Sequence, residues 1–321
     1  MNNELKKGYI YPTSEIVKDE IGFLGMSQKE LASRLNVSEK HISKFLNDNV
    51  NLTIEMAIGL EKAIGIPVST LMNYESNYRE SLARINRLNE LKIEDYEKYC
   101  GLFKIDFMIK NKWLDISPKS SKEEQLEALL KYFGVSDFVA FYNTYNFDKK
   151  LLKCDFKLDG IKVEPLSAWL RKCEKELEKD IDTIPFEINN IDSCVKELKN
   201  LLVSVESTLF GDIKTILNRR GIRFVVVKSI PTSQVRGAVM WIKDNPAIML
   251  SDRFKTNDYF WFALFHEIYH IKNYDKKNIV FELDDQEITD IEKQADMYSA
   301  DQLIDGNKYK EKEITAEDKK S

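Results

Sequence analysis

Two of the chain's three histidines stand four residues apart, in Phe260-Trp261-Phe262-Ala263-Leu264-Phe265-His266-Glu267-Ile268-Tyr269-His270. A run this apolar is too short to cross a membrane and belongs in a core, where polar groups need partners. On a helix, positions i and i+4 share a face, so His266 and His270 can offer ring nitrogens to one cation. Glu267 lies beside them, close enough to act on a water at that cation without ligating it. Two imidazoles with a free carboxylate between them is the H-E-x-x-H pattern of zinc-dependent hydrolysis, and it calls for a third ligand. The sequence offers Glu292, in Glu292-Lys293-Gln294-Ala295-Asp296. Asp296, four residues on, is placed to take the hydrogen bond of a ligand imidazole's other nitrogen and fix its tautomer. Ala295 leaves room for two helices to approach. A His/His/Glu donor set suits a single Zn2+.

With 321 residues, 43% of them hydrophobic and 31% charged, the chain can bury two or three cores under a solvated surface. Twelve Gly and seven Pro exclude collagen-like and linker-dominated designs. The longest apolar run is Phe260 to Phe265, so no membrane span is expected. Met1-Asn2-Asn3-Glu4-Leu5-Lys6-Lys7 has no apolar stretch behind its charges, and the four cysteines form no C-x-x-C, so reduced thiols and a cytoplasmic address are expected. A net charge of −5 excludes a uniformly basic nucleic-acid coat and leaves only a local patch.

Residues 1–75 read as a five-helix domain. Val17, Ile21 and Leu24 recur at helical spacing. Ser27 and Glu30 make a capping box for a second helix that turns Leu31, Ala32 and Leu35 inward. Asn36-Val37 forms a turn, since Asn tolerates the left-handed conformation. Ser38 caps a third helix with Ile42, Phe45 and Leu46 inward. Thr53 caps a fourth, with Ile54, Ala57, Ile58 and Ile64 inward and Gly65 as its stop. Val68, Leu71 and Met72 suggest a short fifth. The Met26-to-Asn47 stretch fits helix-turn-helix geometry, with Leu31, Ala32, Val37 and Ile42 holding the two helices together. Candidate DNA-contacting residues are Gln28 and Lys29 at one helix start, and Ser38, Glu39, Lys40, His41, Ser43 and Lys44 on the next helix. The domain is net acidic, with eight basic and ten acidic side chains, but Lys29 to Lys44 holds four basic against two acidic. The segment resembles the Xre/HigA class, with Asn36 standing where that class prefers Gly.

Residues 76–205 are helical by pattern and carry no chemical signature. Ser121 and Glu124 open a helix bearing Leu126, Leu129, Leu130 and Phe133, stopped by Gly134; Leu166 to Leu177 and Ile191 to Val203 suggest two more. Residues 206–305 change character. Ile222 to Ile230, Arg236 to Lys243 and Ala247 to Ser251 read as strands, followed by a helix to about Lys272 and another from about Thr289 to Ile304. Residues 306–321 form a polar tail.

Residues from about 210 to 305 resemble the ImmA/IrrE type of zinc metallopeptidase. The likeness lies in Phe260-Trp261-Phe262 leading into H-E-x-x-H and in Glu292-x-x-Ala295-Asp296-x-Tyr298-Ser299-Ala300-Asp301, with Tyr298-Ser299 where that family more usually has Phe-Ala. The resemblance implies that His266, His270 and Glu292 are metal ligands, that Glu267 is the catalytic base, and that the substrate is a repressor or related partner. It also implies a gluzincin-type fold that takes substrate along an exposed sheet edge, for which Ala247 to Ser251 is the candidate. Tyr269 and Tyr298 are candidates for the oxyanion-stabilising group. The whole chain, with Trp113 to Pro118 and Ala168-Trp169 in its middle, resembles composite proteins that join the two modules. The expected architecture is multidomain, mainly α with an α+β C-terminal domain. The expected function is a DNA-binding transcriptional regulator, as a homodimer on operator DNA, whose zinc metalloendopeptidase cleaves itself or a partner regulator. The alternative is a HigA-like antitoxin that binds a neighbouring toxin, with the metal domain serving structure or docking.

Overall fold

The computed structural model describes residues 11–91, 93–145, 162–179, 184–202, 209–253, 256–273, 279–283 and 289–303. The chain divides into two compact units: one runs to Tyr96 and includes Lys122–Glu124, and the other holds the remainder. The expected polar tail and Cys154 lie outside the described residues.

The first unit is built by its caps. α1 (Thr13–Phe23) is followed by α2 (Gln28–Arg34), where Ser27 Oγ accepts the Glu30 N–H at 3.1 Å. Asn36 takes the left-handed conformation at φ 52° and turns the chain into α3 (Glu39–Leu46), where Ser38 Oγ accepts the His41 N–H at 3.2 Å. α4 (Ile54–Ile64) starts with the Met56 N–H donating to Thr53 and stops at Gly65, φ 79°. Each cap answers an orphan backbone group at a helix end. The core gathers Val17, Ile21, Leu31, Ala32, Ile42 and Phe45 with Leu60 and Leu71.

Three sequence expectations fail here. Ile54 and Ile58 are exposed; the buried row of α4 is Met56, Ala57, Leu60 and Ile64. The core packs against the stripe at 56, 60 and 64, which leaves 54 and 58 on the outer side. Leu24 and Val37 are also exposed, because both sit past helix ends where the helical period no longer sets direction. The fifth helix is not short: α5 runs Val68–Glu90. Glu75 on α5 accepts the Leu52 N–H at 3.2 Å and the Arg79 Nε–H at 2.8 Å, and Arg79 reaches Asp48 at 2.8 Å. These bonds tie the segment after α3 to α5.

The second unit holds α7 (Ile105–Lys110), α9 (Phe138–Thr144) and all but the first turns of α6 (Ile93–Phe103) and α8 (Lys122–Phe133); Phe103, Phe133, Phe138 and Phe141 form an aromatic cluster there. α10 (Val163–Leu177) buries Trp169 and packs on the first strand; α11 (Ile191–Lys199) and α12 (Leu209–Asn218) follow. The strands are β1 (Arg223–Val227), β2 (Val235–Ile242), β3 (Asn245–Ser251) and β4 (Val280–Leu283), in the order β1-β3-β2-β4. β3 is parallel to β1 and antiparallel to β2; β4 is antiparallel to β2, with a bulge between Val235 and Gly237.

Ala247 to Ser251 is therefore not the exposed edge that the sequence suggested. It is interior, paired on both sides, and every residue from Pro246 to Ser251 is buried. An unbroken buried run is the mark of a strand covered on both faces. Among the described residues the edges are β1 and β4. α13 (Asn257–Asn273) packs on β2, β3 and α14 (Asp290–Leu303). Phe260, Trp261, Leu264, Phe265 and Ile268 of α13 enter the core with Phe224, Ile248 and Leu250 of the sheet. No helix among the described residues is long and apolar enough to cross a membrane.

Candidate metal centre

The apolar run holds α13 so firmly that its polar residues are carried inside with it. His266, Glu267 and His270 are 2%, 0% and 1% exposed. α14 lies alongside, and Ala295, fully buried, keeps the contact close. Glu292 in the first turn of α14 then meets both imidazoles. Its Oε2 is 2.9 Å from His266 Nε2, and its Oε1 is 3.5 Å from His270 Nε2. The two Nε2 atoms are 2.9 Å apart. One ligand atom from each of the three residues falls within 4.8 Å of the others. Behind His266, Asp296 Oδ1 is 3.0 Å from Nδ1. The structure thus brings His266, His270, Glu292 and Asp296 together, with Glu267 next to His266 on the same helix.

The electrostatics follow from this closeness. Burial pulls the His266 pKa down, but the hydrogen bonds to Asp296 and Glu292 outweigh it and raise the value to about 10. Burial pushes the Glu292 carboxyl up, but the two imidazoles outweigh it and hold the value at about 2. Burial lowers the pKa of His270. Burial also lifts the Glu267 carboxyl well above the usual carboxylate range, and the Glu282 charge adds to the effect.

Neither oxygen of Glu267 has a hydrogen-bond partner among the described residues. A buried carboxylate beside converging ring nitrogens, yet bonded to none of them, fits a divalent cation and the water it carries. His266, His270 and Glu292 have the donor types and spacing to hold such an ion. Asp296 is placed to fix the His266 ring.

One residue of the site was missed from the sequence. Glu282 of β4 pairs directly across from Gly237 of β2. Its side chain is 11% exposed, its Oε1 lies 3.6 Å from Arg236 Nη1, and its Oε2 is buried without a partner among the described residues. Burial raises its pKa. The signal was a single acid inside the apolar Val280-Phe281-Glu282-Leu283, a four-residue strand too short to stand out. The tyrosine candidates are engaged elsewhere: the Tyr269 hydroxyl donates to Gln294 at 2.7 Å, and the Tyr298 ring lies 5.6 Å from that of Tyr269.

In the first unit, Gln28, Lys29, Ser38, Glu39, Lys40, His41 and Lys44 are exposed and Ser43 is half-buried. They lie on α2, α3 and the cap between them, and the Ser38 hydroxyl is engaged as that cap. Residues 24–71 match the helix-turn-helix family model HTH_3, so the N-terminal unit carries a helix-turn-helix domain. No curated protein matches the chain. Among solved structures, an addiction module antidote protein of the HigA family from Coxiella burnetii is similar at 23% identity, over 34% of this chain and 97% of that one, with a TM-score of 0.23.

Proposed function

We propose that this protein is a DNA-binding transcriptional regulator whose second unit is a zinc-dependent endopeptidase acting on itself or on a partner regulator. The helix-turn-helix domain supports the first half of this reading. The second half is carried by one observation: His266, His270 and Glu292 converge within 4.8 Å while the adjoining Glu267 carboxylate is buried and bonded to nothing among the described residues. Bound there, zinc supplies a Lewis acid that polarises a peptide carbonyl and acidifies water. Glu267 takes the proton of the attacking water and hands it to the leaving amine. Asp296 holds the His266 ring in register. On operator DNA, the exposed groups of α2 and α3 face bases and phosphates, and a homodimer reads two half-sites.

A second reading has one observation in its favour. The ligand set is almost closed to solvent, with His266, His270 and Glu292 at 2%, 1% and 7% exposure. A site this closed suits a structural ion in a repressor that docks a toxin. Metal analysis of wild type beside His266→Ala, followed by incubation of wild type and Glu267→Gln with candidate partner proteins, tests the proposal. One zinc in wild type and in Glu267→Gln, with cleavage in wild type only, is the expected result. Cleavage by the Glu267→Gln protein overturns the peptidase assignment. Bound zinc with no cleavage by any form, and loss of structure on chelation, selects the structural reading.

A further inference from the structure

We infer that Gly237 is a positioning residue, a side-chain-free seat on β2 that sets where the Glu267 carboxylate rests. A glycine within a strand weakens it and needs a reason. Gly237 does not owe its place to backbone conformation: it is absent from the residues at positive φ, unlike Gly221 at φ 72°. It is buried, and it adjoins the β2 bulge. A Cβ on Gly237 would lie 2.2 Å from Glu267 Oε1 and 3.2 Å from Glu267 Cδ, with Leu250 Cδ2 at 3.0 Å. Two non-bonded atoms do not approach to 2.2 Å, so any side chain here displaces the carboxylate.

The seat matters because no hydrogen bond among the described residues locates the Glu267 carboxylate, so shape fixes its depth beside His266 and His270. Glu282 stands directly across from Gly237, on the same sheet face. Glu267 follows His266 directly and precedes His270 by three residues on α13, so a carboxylate pushed out of this seat moves beside the ligand set. The contact between Gly237 and Glu267 exists whatever the site does; its value to catalysis rests on the peptidase reading above, where a displacement of about 1 Å costs roughly 100-fold in rate.

The test is a two-residue cycle in the full chain: wild type, Gly237→Ala, Glu267→Ala and the double variant, each melted with and without Zn2+, and each titrated with Co2+ for its visible absorption. Gly237→Ala should lower Tm by roughly 5 °C, and most of that loss should vanish when Glu267 is also Ala. The Co2+ spectrum should change in Gly237→Ala relative to wild type, but not in the double variant relative to Glu267→Ala, because the change requires the displaced carboxylate. If Gly237→Ala does not fold, recovery of a folded double variant is the supporting result. An undiminished penalty in the Glu267→Ala background, or a double variant that also fails to fold, places the clash at Leu250 or the backbone and overturns the inference. So does a Gly237→Ala protein identical to wild type in Tm and spectrum. Failure of wild type to bind either metal defeats the peptidase reading, while the Tm cycle still decides the role of Gly237.

Discussion

Asp296 Oδ1 lies 3.0 Å from His266 Nδ1, on the side of the ring away from Glu292. A carboxylate there commits Nδ1 to its proton and aims Nε2 at the ligand set. Asp296→Ala should weaken Zn2+ binding by about tenfold, the low end for such supports, because the carboxylate is 46% exposed and partly screened by water. Competition with a chromophoric chelator measures it; unchanged affinity removes Asp296 from the site.

The same geometry fixes the proton traffic. His266, raised to about 10, carries two ring protons at neutral pH, whereas Glu292, held at about 2, is ionised. A cation at Nε2 must displace one of those protons. Zinc binding near pH 7 should therefore release at least one proton per ion, that of His266, and tighten as pH rises. Calorimetry in two buffers of different ionisation enthalpy reads the release, and none at all would contradict the protonated ring.

Stability of the chelated protein should follow the same two groups. Glu292, depressed from 4.5, stabilises the fold above pH 4.5 and loses that contribution as pH falls toward 2. His266, raised from 6.5, stabilises it fully below 6.5 and loses that contribution as pH rises toward 10. Their joint contribution is full between pH 4.5 and 6.5. Melting curves across this range should show Tm falling on both flanks, and falling less in Glu292→Gln.

Glu75 anchors the first unit. Glu75→Ala leaves the Leu52 N–H and the Arg79 guanidinium short of an acceptor in a buried setting, at a cost of about 1–3 kcal/mol. Denaturant unfolding of the full chain should show the earliest transition moving to lower denaturant, with zinc stoichiometry unchanged.

Lys40 and Lys44 stand exposed on α3. If they meet phosphates, each change to Ala should flatten the plot of log affinity against log salt by about one unit, for all DNA sequences alike. An unchanged slope would move the DNA face elsewhere.

Local signals in the sequence were reliable where one residue decides. Ser27, Ser38 and Thr53 cap as read, Asn36 turns left-handed, and Gly65 stops its helix. The convergence of His266, His270 and Glu292 was also legible, because helical spacing fixes the first pair and burial limits where a third acid can come from. Features set by partners in space were not legible. Ile54 and Ile58 looked inward until the core packed against Met56, Ala57, Leu60 and Ile64 chose the other face of α4. Ala247 to Ser251 looked like an edge until β1 was seen to pair with it. Glu282 and Gly237 acquire meaning only when β4 is laid beside β2, a pairing between segments far apart in sequence.

That pairing also dictates timing. The mixed sheet joins strands 223–227, 235–242, 245–251 and 280–283, and the polar groups beneath it come from the two helices that flank the last of these. A chain that has made only the earlier strands has no carboxylate at 282 or 292 to complete the cluster. A metal held by His266, His270 and Glu292 would thus enter late, a seal set only after α14 has docked.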